Sequence, residues 1–230
     1  MRTQIEELQA KTGRNGLEEK QAWQRSLPVL SRLLDQAKMQ HFHVHIPEEH
    51  SMILEYPLPG SPYWCDAVLL GQGSTRPAAV ILELKHWDTE GDEPMLREGH
   101  ILHRGRDTLH PSNQVRGYMD HCRLFHSAVM DDKAEIRGCT LFTKSTKLKP
   151  YKGPPYGNLV GEIPVFDPTS YESPDGFLAY VAGILKTPNP SFAKSFATGK
   201  YRQSKNFVRQ MAQAVKDSSK RPFVLMDEQR

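Results

Sequence analysis

The chain has 230 residues, with 38% hydrophobic and 25% charged side chains and a formal net charge of +3. That length suffices for one well-cored domain with appendages, and no stretch approaches the roughly 20 apolar residues that a membrane helix needs. The polar N-terminus lacks the apolar core of a signal peptide, and the three cysteines are widely spaced. We therefore expect a soluble cytoplasmic protein with free thiols and no CxxC zinc site. The small net charge neither requires nor excludes a nucleic-acid partner.

The hydrophobic pattern predicts an alternation of helices and strands. In chain order, the predicted elements are a helix over 17–40, extended segments at 43–46 and 52–56, strands over 64–70 and 78–84, a loop or short hairpin over 88–107, a helix over 111–130, strands over 137–143 and 164–166, and helices over 176–185 and 204–216. Pro28 predicts a kink in the first helix or its division into two pieces. His110 and Pro111 suit the cap and the first turn of the helix that follows them. This order predicts an α/β domain, in which the strands on either side of the loop 71–77 form a hairpin.

Two stretches of the chain are rich in basic residues and contain no acidic residue. The first runs from Lys144 to Lys152, and the second runs from Lys194 to Arg209 with aromatic residues interleaved. Such stretches suit a phosphate backbone and unpaired bases, although a solvated helix face explains them equally well. The residues that we expect to contact nucleic acid are Lys144, Lys147, Lys149, Lys200 and Arg202.

Three side chains suited to metal chemistry fall on two neighbouring predicted strands. Asp66 is the only acid of an otherwise apolar strand, and Glu83 and Lys85 end the next strand. Residues two apart in a strand share a face, and a charge in an apolar strand is costly to bury unless it is paired or binds a metal. The two carboxylates and the backbone carbonyl of Leu84 offer hard oxygen ligands for Mg²⁺ or Mn²⁺. A surface ion pair between Glu83 and Lys85 is the alternative interpretation.

This motif and its surroundings resemble the PD-(D/E)XK nuclease superfamily. Asp66 and the Glu83–Lys85 tripeptide are followed by a predicted helix that carries Gln114 and Tyr118, with the Gln-x-x-x-Tyr spacing of the RecB-like branch. Because positions four apart share one helix face, both side chains can point at the proposed site. The resemblance implies a restriction-endonuclease-like core, with a central mixed sheet flanked by helices.

The resemblance also implies an acidic residue on the helix before the sheet. Glu19 is the best match for that position, and Glu18 is the next. The roles implied are metal binding for Asp66 and Glu83, water positioning for Lys85, substrate contacts for Gln114 and Tyr118, and completion of the acidic cluster for Glu19.

Further segments are similar to the nuclease-like region that precedes a superfamily-1-type helicase in bacterial and phage-defence proteins. These segments are 54–59, 66–71, 83–87 and 110–114, and residues 222–229 resemble the approach to a helicase nucleotide-binding domain, although no P-loop motif follows. The resemblance predicts an N-terminal tail over 1–16, a nuclease-like domain over 17–217 and a linker over 218–230.

The function implied is that of a Mg²⁺- or Mn²⁺-dependent DNA nuclease acting in phage defence or DNA processing. Its expected partners are DNA, a helicase/ATPase domain or subunit, and a second copy of the chain, with no membrane. The alternative is an inactive nucleic-acid-binding or assembly module that guides a helicase or a partner protein. The sequence does not decide between endo- and exonuclease action, between single and double strands, or between DNA and RNA.

Other polar residues carry weaker expectations. His41, His43 and His45 share one predicted strand face, which suits Zn²⁺, but a solvated face is the favoured interpretation because no fourth ligand has matching spacing. His86 lies at the mouth of the proposed site, where it either assists proton transfer or packs at the core edge. Glu55 is either a supporting acid of the site or a charge at a strand edge.

Overall fold

The computed structural model describes residues 17–38 and 51–203, together with Arg209. The helices are α1 (Leu17–Lys38), α2 (Pro111–Phe125), α3 (Ser127–Asp131), α4 (Lys149–Lys152), α5 (Gly157–Glu162), α6 (Phe177–Ile184) and α7 (Pro190–Ala197). The strands are β1 (Ser51–Pro57), β2 (Trp64–Gln72), β3 (Pro77–Lys85), β4 (Glu93–Pro94), β5 (His100–His103), β6 (Arg106–Leu109), β7 (Glu135–Phe142) and β8 (Val165–Phe166). The predicted segment at 43–46, the helix over 204–216, the tail and the linker lie outside the described residues.

A mixed five-stranded sheet forms the centre, with the strand order β1-β2-β3-β7-β8. The first three strands run antiparallel to one another, whereas β7 runs parallel to β3 and β8 runs parallel to β7. The predicted hairpin is confirmed, because β2 and β3 are paired neighbours. The predicted α/β class, with a mixed sheet flanked by helices, is confirmed as well.

Helices cover both faces of this sheet, which explains why β2 and β3 are apolar on both sides. One face packs against α2, and its buried residues include Val68, Leu70, Ala79, Ile81, Val115 and Met119. The other face packs against α1 and α6, and its buried residues include Leu30, Leu33, Leu69, Val80, Leu82 and Val181. Each large aliphatic side chain buried in this way stabilises the fold by about 1.5–3 kcal/mol.

Helix α1 continues through Pro28, so the alternative of two helical pieces is wrong. Trp23, Leu30 and Leu33 of this helix are buried. Their burial offsets the cost of the backbone N–H that proline lacks.

Helix α2 begins as predicted and ends earlier than predicted. The Nδ1 atom of His110 accepts a hydrogen bond from the N–H of Ser112, and Pro111 occupies the first turn. The helix ends at Phe125 because His126 adopts an extended conformation, and α3 then begins at Ser127. The buried His126 ring stacks on Phe196, so a long-range contact accompanies the break in the predicted helix.

The segment between β3 and α2 is more ordered than predicted. It contains a three-stranded antiparallel sheet, β4-β5-β6, where the sequence indicated a loop or a short hairpin. Strand β4 has only two residues, too few to show a period-two pattern. The helices α4, α5 and α7 were also not predicted, and the first two have only four and six residues.

All three cysteines are free, as expected, and the structure shows that each is buried. Within 17–38 and 51–203, no helix has the length and the apolar character needed to cross a membrane.

Candidate active site

Asp66, Glu83 and Lys85 lie together at one end of the central sheet. The last pair of the β2–β3 ladder is Ala67 with Leu82, so Asp66 and Glu83 are the next residues along the two strands. The Oδ2 atom of Asp66 accepts a hydrogen bond of 2.7 Å from the N–H of Leu84. This side-chain bond ties Asp66 to β3 at the point where the ladder ends. Leu84 therefore contributes its N–H to the site, as well as lying between Glu83 and Lys85.

Glu83 and Lys85 share a sheet face, as predicted from their spacing. The Nζ atom of Lys85 lies 2.5 Å from Oε1 of Glu83, and the two side chains are 14% and 4% exposed. The alternative interpretation, a surface ion pair, is therefore wrong about location, because this pair is largely withdrawn from solvent.

Helix α2 places Gln114 and Tyr118 against the same lysine. The Oε1 atom of Gln114 accepts a hydrogen bond of 3.2 Å from Lys85, and its Nε2 atom donates one of 2.6 Å to the Tyr118 hydroxyl. Burial raises the pKa of Tyr118 well above its usual value, so the hydroxyl stays protonated. Hydrogen bonds thus connect Lys85 on β3 with Gln114 and Tyr118 on α2.

The pKa of Glu83 is raised far above the usual value of a carboxyl group. Burial, with further contributions from the charges of Asp66 and Glu55, raises its pKa to about 8, although Lys85 acts in the opposite direction. Its Oε2 atom is buried and has no hydrogen-bond partner within the described part of the chain. A buried carboxylate oxygen without a partner is costly unless a cation or a proton satisfies it.

Glu55 joins this cluster, although the sequence left its role open. It is buried, and it lies opposite Asp66, between the pairs Leu54–Ala67 and Tyr56–Cys65 of the β1–β2 ladder. Its φ of 49° is in the left-handed region, which costs a non-glycine residue of order 1–3 kcal/mol. The indole Nε1 atom of Trp23 on α1 donates a hydrogen bond of 2.5 Å to its Oε1 atom.

The helix before the sheet therefore reaches this cluster through a tryptophan. Glu19 lies one turn earlier in α1, and its side chain is outside the described part of the chain. The signal that could have identified Glu55 is a lone acid within the apolar run of β1, and the sequence carries no signal of its pairing with Trp23.

The donor set suits a divalent cation in part. Asp66 and Glu83 supply carboxylate oxygens at the end of the sheet, and the unpartnered Oε2 atom of Glu83 is a ready ligand for a hard cation. No group of three or more histidine, cysteine, aspartate or glutamate side chains arranged to hold a metal occurs in the described ranges. A cation held here would therefore take its remaining ligands from water, backbone or substrate, as Mg²⁺ commonly does.

The predicted nucleic-acid contacts are exposed, but several are already paired. Lys144 lies 2.9 Å from Asp88, Lys147 lies 3.1 Å from Glu90, and Arg202 lies 2.5 Å from Asp131, all among side chains that are about half exposed or more. Acids are absent near these residues in the sequence, whereas folding brings acids from other segments close to them. Ion pairs this exposed are weak, so phosphates can displace them. Lys149 and Lys200 are also exposed.

Trp87 borders the lysine, and His103 packs on Trp87. The ring of Trp87 lies 5.0 Å from Nζ of Lys85, and the imidazole of His103 stacks on it with ring centroids 4.1 Å apart. His86 instead lies 2.9 Å from the Thr143 hydroxyl through Nδ1, which fits packing at the core edge. His41, His43 and His45 are outside the described residues.

Comparison with protein-family models, with curated proteins and with solved structures finds no match for this chain.

Proposed function

We propose that this chain is a divalent-metal-dependent nuclease of the PD-(D/E)XK type that hydrolyses phosphodiester bonds in DNA. The observation that carries the proposal is the contact of Lys85 with both Glu83 and Gln114, beside an unpartnered oxygen of Glu83. An ion pair that only stabilised the fold would not explain why Oε2 of Glu83 is buried without a partner among the described residues. It would also not explain why Asp66 and Glu55 lie next to Glu83.

The chain's own residues divide the work in this proposal. Asp66 and Glu83 would hold Mg²⁺ or Mn²⁺, and the bound cation supplies a polarised phosphate and a water of lowered pKa. Lys85 orients the attacking water and stabilises the negative charge that develops on the phosphate. Gln114 holds the lysine in place from α2, and Tyr118 holds Gln114.

The order of elements supports the same family. The helix α1 and three antiparallel strands are followed, after the small sheet β4–β6, by α2, α3 and the strand β7. The acids and the lysine lie on β2 and β3, and the glutamine and the tyrosine lie on α2. Within that resemblance we propose that the domain acts beside a helicase in phage defence or DNA processing.

The test is cleavage of supercoiled plasmid and of single-stranded DNA by the purified protein with Mg²⁺, Mn²⁺ or EDTA. We expect metal-dependent cleavage that falls by at least about 100-fold in Asp66→Asn and in Lys85→Ala. Lys186→Ala is the matched control, because this exposed lysine only donates a hydrogen bond to the carbonyl of Ala182. The same assay on RNA separates an RNA-directed enzyme.

A separate measurement locates the cation without relying on activity. Crystals soaked in Mn²⁺ should show anomalous density between Asp66 and Glu83. Undiminished cleavage in both variants would contradict the assignment. Absence of cleavage, together with DNA binding in EDTA, would favour a binding module instead.

A further inference from the structure

A buried carboxylate holds a histidine at the edge of the proposed centre. Asp92 lies directly before β4, and its side chain is 0% exposed. It accepts hydrogen bonds of 2.6 Å from the Tyr151 hydroxyl and 3.0 Å from the N–H of Arg104, and it lies 2.8 Å from Nδ1 of His103. The contacts with Tyr151 and Arg104 fix the Asp92 carboxylate. Its contact with Nδ1 therefore sets the orientation of the His103 ring.

The other edge of this imidazole is available. His103 is only partly buried, with a side-chain exposure of 13%, and its Nε2 atom has no hydrogen-bond partner among the described residues. The ring stacks on Trp87 at an interplanar angle of 16°, and Trp87 in turn contacts the ammonium of Lys85. The distance from the centre of the His103 ring to Nζ of Lys85 is therefore no greater than the sum of the His103–Trp87 and Trp87–Lys85 distances.

We propose that His103, oriented by Asp92, donates the proton that the leaving oxygen takes up when the phosphodiester is cleaved at the Asp66–Glu83–Lys85 centre. This inference rests on the proposed nuclease function. A histidine with Nδ1 on a buried carboxylate and a free Nε2 is the arrangement used for general acid–base catalysis. Lys85, which contacts Glu83 and Gln114, is assigned to the attacking water in the proposed function, so the leaving oxygen takes its proton from another group.

The proton and bond changes balance in this step. Water attacks phosphorus, and the bond from phosphorus to the leaving oxygen breaks. The His103 imidazolium gives its Nε2 proton to that oxygen, which departs as an alcohol, while the Nδ1 proton stays on the bond to Asp92. The attacking water releases a proton to solvent, and the neutral imidazole takes one back, so a diester and water become a monoester and an alcohol.

A second histidine–aspartate pair in the same small sheet provides the control. His100 lies 2.6 Å from Asp107 through Nδ1, but Asp107 is 39% exposed and also binds Arg97. The imidazole that stacks on Trp87 is that of His103. Asp107→Asn therefore weakens a contact of the same kind without touching the residues next to Lys85.

The experiment compares two kinds of DNA substrate in Mn²⁺. One is ordinary DNA, and the other has sulfur in place of the bridging oxygen that leaves when the bond is cleaved. The sulfur is tested on each side of the phosphorus in turn. A thiolate leaves without being protonated, so it does not need a general acid. We expect His103→Gln and Asp92→Asn to lose about 100-fold or more on the oxygen substrate and less than about 10-fold on the sulfur substrate. Asp107→Asn should lose less than about 10-fold on either substrate.

The ratio of the two rates is the readout, because it does not depend on how much of a variant is folded. An unchanged ratio in both variants, whether both rates fall equally or neither falls, would overturn the role of His103 and leave the nuclease proposal intact. Failure of the native protein to cleave either substrate would instead overturn the nuclease proposal, and this inference with it.

Discussion

Glu83 links the proposed site to the stability of the protein. Its carboxylate is buried next to Asp66 and Glu55, whose charges raise its pKa, while the ion pair with Lys85 acts in the opposite direction. In the metal-free protein this arrangement favours the protonated form of Glu83, whose pKa is raised to about 8. A bound cation would reverse this preference, because it favours the ionised carboxylate.

The first prediction follows from the raised pKa of Glu83. Because the folded state holds this proton more tightly than the unfolded state, native stability without metal should fall as pH rises from about 4.5 to about 8. Glu83→Gln carries no titrating carboxyl group, so it should be the more stable protein at pH 8, by an amount on the order of a few kcal/mol. Urea unfolding in EDTA at several pH values measures the difference.

The variant and the native protein should approach equal stability below pH 4.5, where Glu83 is protonated in both the folded and the unfolded state. Added Mn²⁺ should stabilise the native protein at pH 8 and leave Glu83→Gln unchanged. A difference that stays constant across the pH range would contradict the assignment of the raised pKa.

At the scale of elements, the position of α2 decides whether Gln114 meets Lys85. The helix packs directly on β7 at Gly138, where a Cβ atom would lie 2.3 Å from Cγ1 of Val115 and 3.1 Å from Sδ of Met119. The absence of a side chain at this position lets the helix approach the sheet. Overpacking such a contact forces side-chain and backbone shifts.

We therefore predict that Gly138→Ala destabilises the protein by about 1–3 kcal/mol and lowers cleavage in the fraction that remains folded. The reason is that the shift of α2 moves Gln114 away from the lysine. Gly161→Ala on α5 is the control, because no atom lies within 4 Å of the Cβ built there. Denaturant unfolding and plasmid cleavage measure both effects, and native-like cleavage by folded Gly138→Ala would contradict the proposed link.

At the scale of the whole molecule, two buried histidines join elements that are distant in the chain. His110 caps α2 and lies 3.2 Å from the carbonyl of Tyr151 through Nε2, and His126 lies 2.7 Å from the Tyr56 hydroxyl. Burial lowers the pKa of each histidine to about 4. Both rings are therefore neutral in the folded protein at neutral pH.

These lowered pKa values predict acid sensitivity. The unfolded state binds protons at these rings below about pH 6.5 and the folded state only below about pH 4, so stability should be full above pH 6.5 and lost as pH falls to about 4. Each histidine contributes up to about 3 kcal/mol of this loss. Glu83 acts in the opposite direction, so His126→Gln is compared with the native protein at each pH.

The stability difference between these two proteins should be greatest above pH 6.5 and should shrink towards pH 4. Chemical unfolding at fixed temperature gives this difference directly. A gap independent of pH would show that His126 contributes through packing alone.

The sequence by itself determined the features that depend on backbone periodicity. The two-residue repeat of a strand puts Glu83 and Lys85 on one face, and the helical repeat aligns Gln114 with Tyr118, so the alignment within each pair was predictable before any packing was known. The α/β class, the hairpin of β2 and β3 and the His110 cap follow from equally local signals. The catalytic roles of these residues stay predictions.

Tertiary structure alone decided the contacts that join distant segments. Trp23 with Glu55, Asp92 with His103 and Tyr151, and the acids that pair with Lys144, Lys147 and Arg202 come from parts of the chain with no shared periodicity. The division has a physical reason: local geometry repeats along the backbone, whereas the neighbours of a buried side chain depend on how whole elements pack.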